Sequence, residues 1–152
     1  MSRQTVLSTA MAIAALGLVA CGSGGDDNPK PSSATVQVGD TIALTASGRL
    51  ISFNSATPGT QVGSVAIAGL AASETLVGID VRPADGKLYG LGRAGNACTV
   101  KPSTGASTLK GALKALAGDD NPYASLTGAN TAVDFDPAAD RLRVISSDGQ
   151  NL

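Results

Sequence analysis

Among its 152 residues the chain has no histidine and no tryptophan. The missing histidine removes the most common general base, the Ser-His and Cys-His nucleophile pairs, and most zinc sites. Aromatic residues make up only 3%. Neither sign of charge prevails: 11 Lys and Arg stand against 12 Asp and Glu, and the basic residues are scattered rather than clustered. Neither a nucleic-acid partner nor an acidic lipid surface is therefore implied. Glutamate occurs once, at Glu74, and cysteine twice, at Cys21 and Cys98. If Cys21 is blocked, Cys98 has no partner in the chain and no disulfide framework exists. What is plentiful is glycine, 19 residues, together with Ala, Ser and Thr. Such a chain builds short strands and tight turns more readily than a helical bundle.

The N-terminus carries an address. Arg3 is followed by an apolar run from Val6 to Val19 and then by Ala20-Cys21, the layout of a secretory signal peptide with small residues at the cut. Leu18-Val19-Ala20-Cys21 resembles a bacterial lipoprotein signal, in which the cysteine is acylated and becomes the new N-terminus. The alternative, a spanning anchor, needs about 20 apolar residues. Here Ser8 and Thr9 interrupt the run, and Gly22-Ser23-Gly24-Gly25-Asp26-Asp27 ends it. Residues 1–20 are thus expected to be the leader, Cys21 the lipidation site, and more than one acyl chain the membrane attachment. Residues 21–39 read as a tether, flexible in its Gly/Ser part and stiffer at Pro29-Lys30-Pro31. Asp26-Asp27 within it is read as solvated rather than as half of a metal site.

The folded domain is expected over residues 40–152 and contains an internal repeat. Gly78-Ile79-Asp80-Val81-Arg82-Pro83-Ala84-Asp85-Gly86-Lys87-Leu88-Tyr89-Gly90-Leu91 aligns with residues 132–145 at a constant shift of 54, from 78 to 132 and from 91 to 145. Each copy is an apolar strand ending in Asp-apolar-x-Pro, a turn, and a second apolar strand after a basic residue, which is a β-hairpin twice. A second register, Gly48 to Phe53 against Gly95 to Val100, has a shift of 47. Strand-and-turn repeats of about 45 to 55 residues have the length of a propeller blade. The complete unit reads as four strands, Thr75 to Val81, Lys87 to Leu91, Ala97 to Val100 and Ser107 to Leu113. The fold class is therefore all-β, with antiparallel, propeller-like repeats, incomplete at about two and a half copies. Such an assembly leaves unpaired sheet edges.

Turn chemistry supports the hairpins. Pro83 presets φ and Gly86 can take the positive φ of a bulged hairpin. Asp140, at the place of Gly86 in the second copy, tolerates the left-handed region better than most residues. Leu109 to Ala117 is only partly helical in composition and is limited by Gly111 and Gly118, so it reads as a connector. The polar segment Gly118 to Ser125 follows it, and insertions of this kind gather on one face, often the binding face.

Carboxylates are the remaining candidates for chemistry. Asp80 and Asp134 occupy equivalent places in the two copies, followed by Asp136, Asp140 and Asp148. They are weak candidates as calcium ligands, because no Asp-x-Asp-x-Asp loop is present. The structural expectation is that they brace turns through backbone N–H groups and pair with Arg82, Arg141 or Arg143. Cys98, on a strand without a flanking cationic cluster, reads as a small buried hydrophobe. No glycine-rich phosphate loop or other cofactor motif is found.

Leu76-Val77-Gly78-Ile79-Asp80-Val81-Arg82-Pro83 with Lys87-Leu88-Tyr89-Gly90-Leu91, then Val133-Asp134-Phe135-Asp136-Pro137 with Asp140-Arg141-Leu142-Arg143-Val144, and finally Gly149-Gln150-Asn151-Leu152 carry a resemblance. Over about residues 41 to 152 the chain resembles a bacterial family known as the domain of unknown function numbered 4394. The resemblance implies a secreted or envelope protein with a repetitive, propeller-like β domain. It carries over no catalytic residue. Family domains continue past the Gly-Gln-Asn-Leu piece with Arg and an Asn-Pro turn, so a truncated domain is expected here.

The functional expectation is an envelope lipoprotein acting as a surface-tethered binding or interaction module. The membrane would be a partner through the lipid anchor, and a glycan, peptide or envelope component would be the ligand. Export by the Sec route is expected, with mild preference for the outer membrane, because Gly22 rather than Asp follows the cysteine. An envelope enzyme using aspartates or a divalent metal on the same scaffold is the alternative, and a purely structural envelope role is a third. The residues lean away from catalysis.

Overall fold

The computed structural model describes residues 35–152. The leader, Cys21 and Asp26-Asp27 lie outside the described residues. Among those described there are nine strands and no helix. β1 (Thr41–Leu44), β2 (Arg49–Asn54) and β3 (Thr57–Ala66) form a three-stranded sheet. β4 (Leu76–Arg82), β5 (Lys87–Gly92), β6 (Asn96–Val100) and β7 (Ser107–Ala112) form a four-stranded sheet in chain order. β8 (Thr131–Asp136) and β9 (Arg141–Ser146) form a hairpin. All strand pairs within these sheets are antiparallel, and no sheet closes on itself. The chain is thus all-β and antiparallel, and the strands of the middle sheet fall within a residue of their expected bounds.

Two turn types organise the sheets. In the first, Gly86 closes the β4–β5 hairpin at φ 64° and its N–H donates to the Arg82 carbonyl at 2.9 Å. Asp140 holds the corresponding place in β8–β9 at φ 50°, a conformation that Asp adopts at lower cost than most side chains. The second type occurs three times. Gly48, Gly95 and Gly149 sit at φ 71°, 86° and 91°. Their N–H groups donate to the carbonyls of Thr45, Gly92 and Ser146, three residues back, at 3.0, 2.9 and 3.1 Å.

Apolar residues from the strands collect in two clusters. Leu50, Leu88, Cys98 and Val100 are buried in the first, joined by Ile42, Leu44, Val65, Leu76 and Ile79 from the first and middle sheets. Leu91, Leu126 and Val144 are buried in the second, joined by Val77 of the middle sheet and Val133 and Leu142 of the last hairpin. Burying one such side chain contributes roughly 1.5–3 kcal/mol, so the two clusters, more than the hairpins alone, bind successive sheets. Close approach of β8 to β4 depends on Gly78, where a Cβ would come within 2.4 Å of Val133 Cγ2. Before β1, Val36 donates its N–H to the Ser103 carbonyl at 2.8 Å, so contacts with the sheets reach back as far as Val36.

Candidate functional site

The candidate aspartates are mostly held by the backbone. Asp80, half-buried on β4, accepts the Phe135 N–H of β8 at 2.7 Å through Oδ2. Asp134 is exposed and lies opposite Arg143 in the β8–β9 register. Asp136 Oδ1 accepts the N–H groups of Ala138 and Ala139 at 2.8 and 3.0 Å, and these two donors hold its carboxyl below the usual carboxylate range. Asp140 receives a two-pronged hydrogen bond from Arg82, at 2.8 Å from Nε and 2.5 Å from Nη2. That pairing lowers the Asp140 carboxyl and raises the Arg82 guanidinium from their ordinary values. Asp148 is lowered chiefly by the hydroxyl of Ser146, which donates to it.

Three or more metal-ligating side chains do not converge anywhere among the described residues. Asp80 and Asp134 belong to no such group. The expectation that the aspartates brace turns and pair with arginine is met by Arg82 with Asp140, while Arg141 and Arg143 enter no ion pair among the described residues. Cys98 is buried, its thiol 3.6 Å from the Gly90 carbonyl, and burial pushes its pKa up. At neutral pH it is a neutral, poorly nucleophilic group.

A broad concavity is built by the connector between β7 and β8. It encloses about 760 Å³ between Leu113–Thr127 and the Gly149–Leu152 segment. Although the connector has no regular structure, it is anchored along its length. Leu126 is buried in the second apolar cluster and Tyr123 packs against it. Gln150 ties the connector to the β9 turn twice, with Oε1 accepting the Thr127 N–H at 3.1 Å and Nε2 donating to the Ser125 carbonyl at 2.9 Å. Arg93 donates to the carbonyls of Gly128 and Ala129 at 2.9 and 3.3 Å. The Ser147 hydroxyl accepts the N–H groups of Ala129 and Asn130 at 3.1 and 3.3 Å. Asp119 caps the bend, accepting the Asn121 N–H at 2.9 Å.

The groove wall carries the amides of Asn121 and Asn151, the hydroxyls of Ser125 and Thr127, the ring of Tyr123 and the apolar Leu113, Leu116 and Pro122. Its charged side chains are Lys114 and Asp119. Such a wall offers uncharged hydrogen-bonding groups beside apolar surface, a combination that orients a bound molecule.

The polar Asp119–Ser125 piece was legible as a surface loop. The anchors that shape it were not. Leu126 looks like a single apolar residue in a polar stretch, and Gln150 looks like a surface amide. The one available signal was the unusual pairing of a lone leucine with an otherwise polar linker. Glu74 was likewise missed as a brace: its Oε1 accepts the Ala94 N–H at 2.9 Å and its Oε2 accepts from Asn96 Nδ2 at 2.7 Å.

A family model described as "Domain of unknown function (DUF4394)" matches residues 49–152, from β2 to the last residue given. No curated protein and no solved structure matches the chain.

Proposed function

The chain belongs to the DUF4394 family, and from that premise we propose that it is a lipid-anchored envelope protein whose β domain binds a glycan in the groove of the β7–β8 connector. The groove itself carries this reading: an anchored wall of amides and hydroxyls around Tyr123, with little charge. A glycan presents hydroxyls and apolar ring faces, which match uncharged donors and acceptors beside an amphipathic ring. The aspartates already committed to backbone N–H groups and to Arg82 favour binding over hydrolysis, for which two free carboxylates must flank the scissile bond.

Acylation of Cys21 is the membrane attachment in this proposal, and residues 21–39 are the tether. Incorporation of labelled palmitate that disappears in Cys21→Ser tests this part.

The architecture is proposed to be a propeller-like stack of repeated units. Support comes from the three turns at Gly48, Gly95 and Gly149, spaced by 47 and then 54 residues. Further support is the placing of one apolar cluster between each successive pair of sheets. On this reading the outward face of β8–β9, with Ala132, Asp134 and Ile145, corresponds to the covered face of β4–β5, with Gly78, Asp80 and Leu91.

The binding reading is tested by calorimetric titration with solubilised peptidoglycan fragments and with lipopolysaccharide-derived saccharide. Saturable binding to one of them is expected, weakened in Asn121→Ala without a change in melting temperature. Absence of saturable binding to both would overturn the glycan reading, and release of cleaved product would favour the enzyme alternative.

A further inference from the structure

A second pocket lies away from the connector groove, under the segment that joins β3 to β4. It measures about 260 Å³. Leu70 and Ala71 of that segment form one wall, Leu76 at the start of β4 another, and Cys98 on β6 and Leu109 on β7 complete it. Leu109 stands at 64% exposure, so this large apolar side chain borders the pocket while open to solvent.

The polar side chains that line the pocket are engaged with neighbouring protein groups. Both Glu74 oxygens accept hydrogen bonds, from Ala94 N–H and Asn96 Nδ2. The Ser107 hydroxyl donates to the Ala68 carbonyl at 2.8 Å. The Cys98 thiol donates to the Gly90 carbonyl, and burial keeps it protonated at neutral pH. A polar group placed beside Leu70, Leu76 and the Cys98 thiol would give up its water without gaining a partner there. The pocket volume exceeds the roughly 150 Å³ that accommodates benzene in an apolar cavity.

We propose that this pocket binds a small, uncharged, hydrocarbon-like molecule, of the size of one aromatic ring or a short alkyl chain and without a hydrogen-bonding group at its buried end. The site is separate from the glycan groove and does not depend on it. Leu109 covers the outer side of the ligand, and the β3–β4 segment carries Leu70 and Ala71 against its opposite side.

Cys98 makes the site measurable, because it lines the pocket and, in full-length Cys21→Ser protein, is the only thiol. The probes are toluene and its polar near-isostere phenol, and the readout is the rate at which a neutral methanethiosulfonate modifies Cys98. Toluene at about ten times its Kd is expected to slow modification about tenfold, by mass action, and to raise the melting temperature. Phenol should protect far less at equal concentration. Ala71→Trp, at an exposed position on the wall, should abolish protection by toluene while the protein keeps its β circular-dichroism spectrum. Equal protection by toluene and phenol, no saturable protection by toluene, or unchanged protection in folded Ala71→Trp would each overturn the assignment. Should Ala71→Trp fail to fold, the toluene–phenol comparison in the Cys21→Ser protein decides.

Discussion

The hairpins β4–β5 and β8–β9 have the same pattern of residues and turn at equivalent positions, Gly86 and Asp140, yet their outward faces live in different surroundings. Leu91 is fully buried at 0% exposure, whereas Ile145, fifty-four positions later, is 45% exposed. Asp80 is half-buried and holds the Phe135 N–H; Asp134 is exposed. Local sequence decides that a hairpin forms and where it turns. What stacks on it decides which of its side chains carry stability.

The sharpest way to break this comparison is at the apolar pair. Leu91→Ala is expected to cost about 3 kcal/mol, within the usual range for a fully buried leucine. Ile145→Ala should cost about 1 kcal/mol or less. Urea midpoints of the two variants measure the difference directly. Equal losses would show that the two faces are equally packed in solution.

The glycine at the sheet contact comes next. Gly78→Ala places a methyl against Val133, and overpacking of this kind costs about 1–3 kcal/mol. The equivalent position already carries Ala132 in the open, so Ala132→Gly should change the urea midpoint far less. A Gly78→Ala protein as stable as the parent would mean that β8 does not sit on β4 as described.

The aspartates give a smaller contrast. Asp80→Ala leaves the part-buried Phe135 N–H without its acceptor and should cost about 1–2 kcal/mol. Asp134→Ala should fall within about 0.5 kcal/mol of the parent. Thermal melts at neutral pH suffice to separate them. Neither melt should respond to millimolar calcium; a calcium-dependent rise that vanished in both variants would restore the metal reading.

Acid provides the most distributed effect. Asp40, lowered chiefly by the Ser55 N–H, joins Asp136, Asp140 and Asp148 in holding its proton less tightly than in an unfolded chain. The unfolded state therefore binds more protons at low pH. The contribution of these groups is fully present above the ordinary carboxylate pKa of about 4 and is lost as pH falls through the lowered values. Melting temperature should hold steady from pH 7 to about 5 and decline below about 4. The Arg82–Asp140 pair is partly exposed, so Asp140→Asn should soften that decline only slightly.

Much of the middle sheet was legible in the sequence because its information is local. The apolar run from Leu76 to Val81, Pro83 before Gly86, and Asp140 in place of a glycine each act within a few residues. The two shifts of 54 and 47 also located the turn glycines. The buried state of Cys98 followed from its apolar strand. Other features depend on neighbours far along the chain. Asp80 reaches a backbone N–H 55 positions away, and nothing in its own surroundings distinguishes that role from a metal ligand. Glu74 braces the turn at Gly92, where a Cβ would collide with its carboxylate. In the equivalent turns Thr45 and Ser146 use their own hydroxyls, which accept the N–H groups of Arg49 and Gln150. The glycine and the remote glutamate are two halves of one device that no short window contains. The groove was visible only as a polar loop, since its shape is set by Leu126, Gln150 and Arg93 acting from three separate segments.

Mapping ligand contacts on the folded domain tests the binding account most directly. Solubilised peptidoglycan fragments and lipopolysaccharide-derived saccharide would be titrated in turn into the isotope-labelled Cys21→Ser chain while backbone amide resonances are followed. One of them should produce saturable shifts at Asn121, Tyr123, Thr127 and Asn151, with the ligand recovered intact. Shifts elsewhere, no saturable shifts with either ligand, or recovery of cleaved ligand would contradict a binding module that acts through the connector groove.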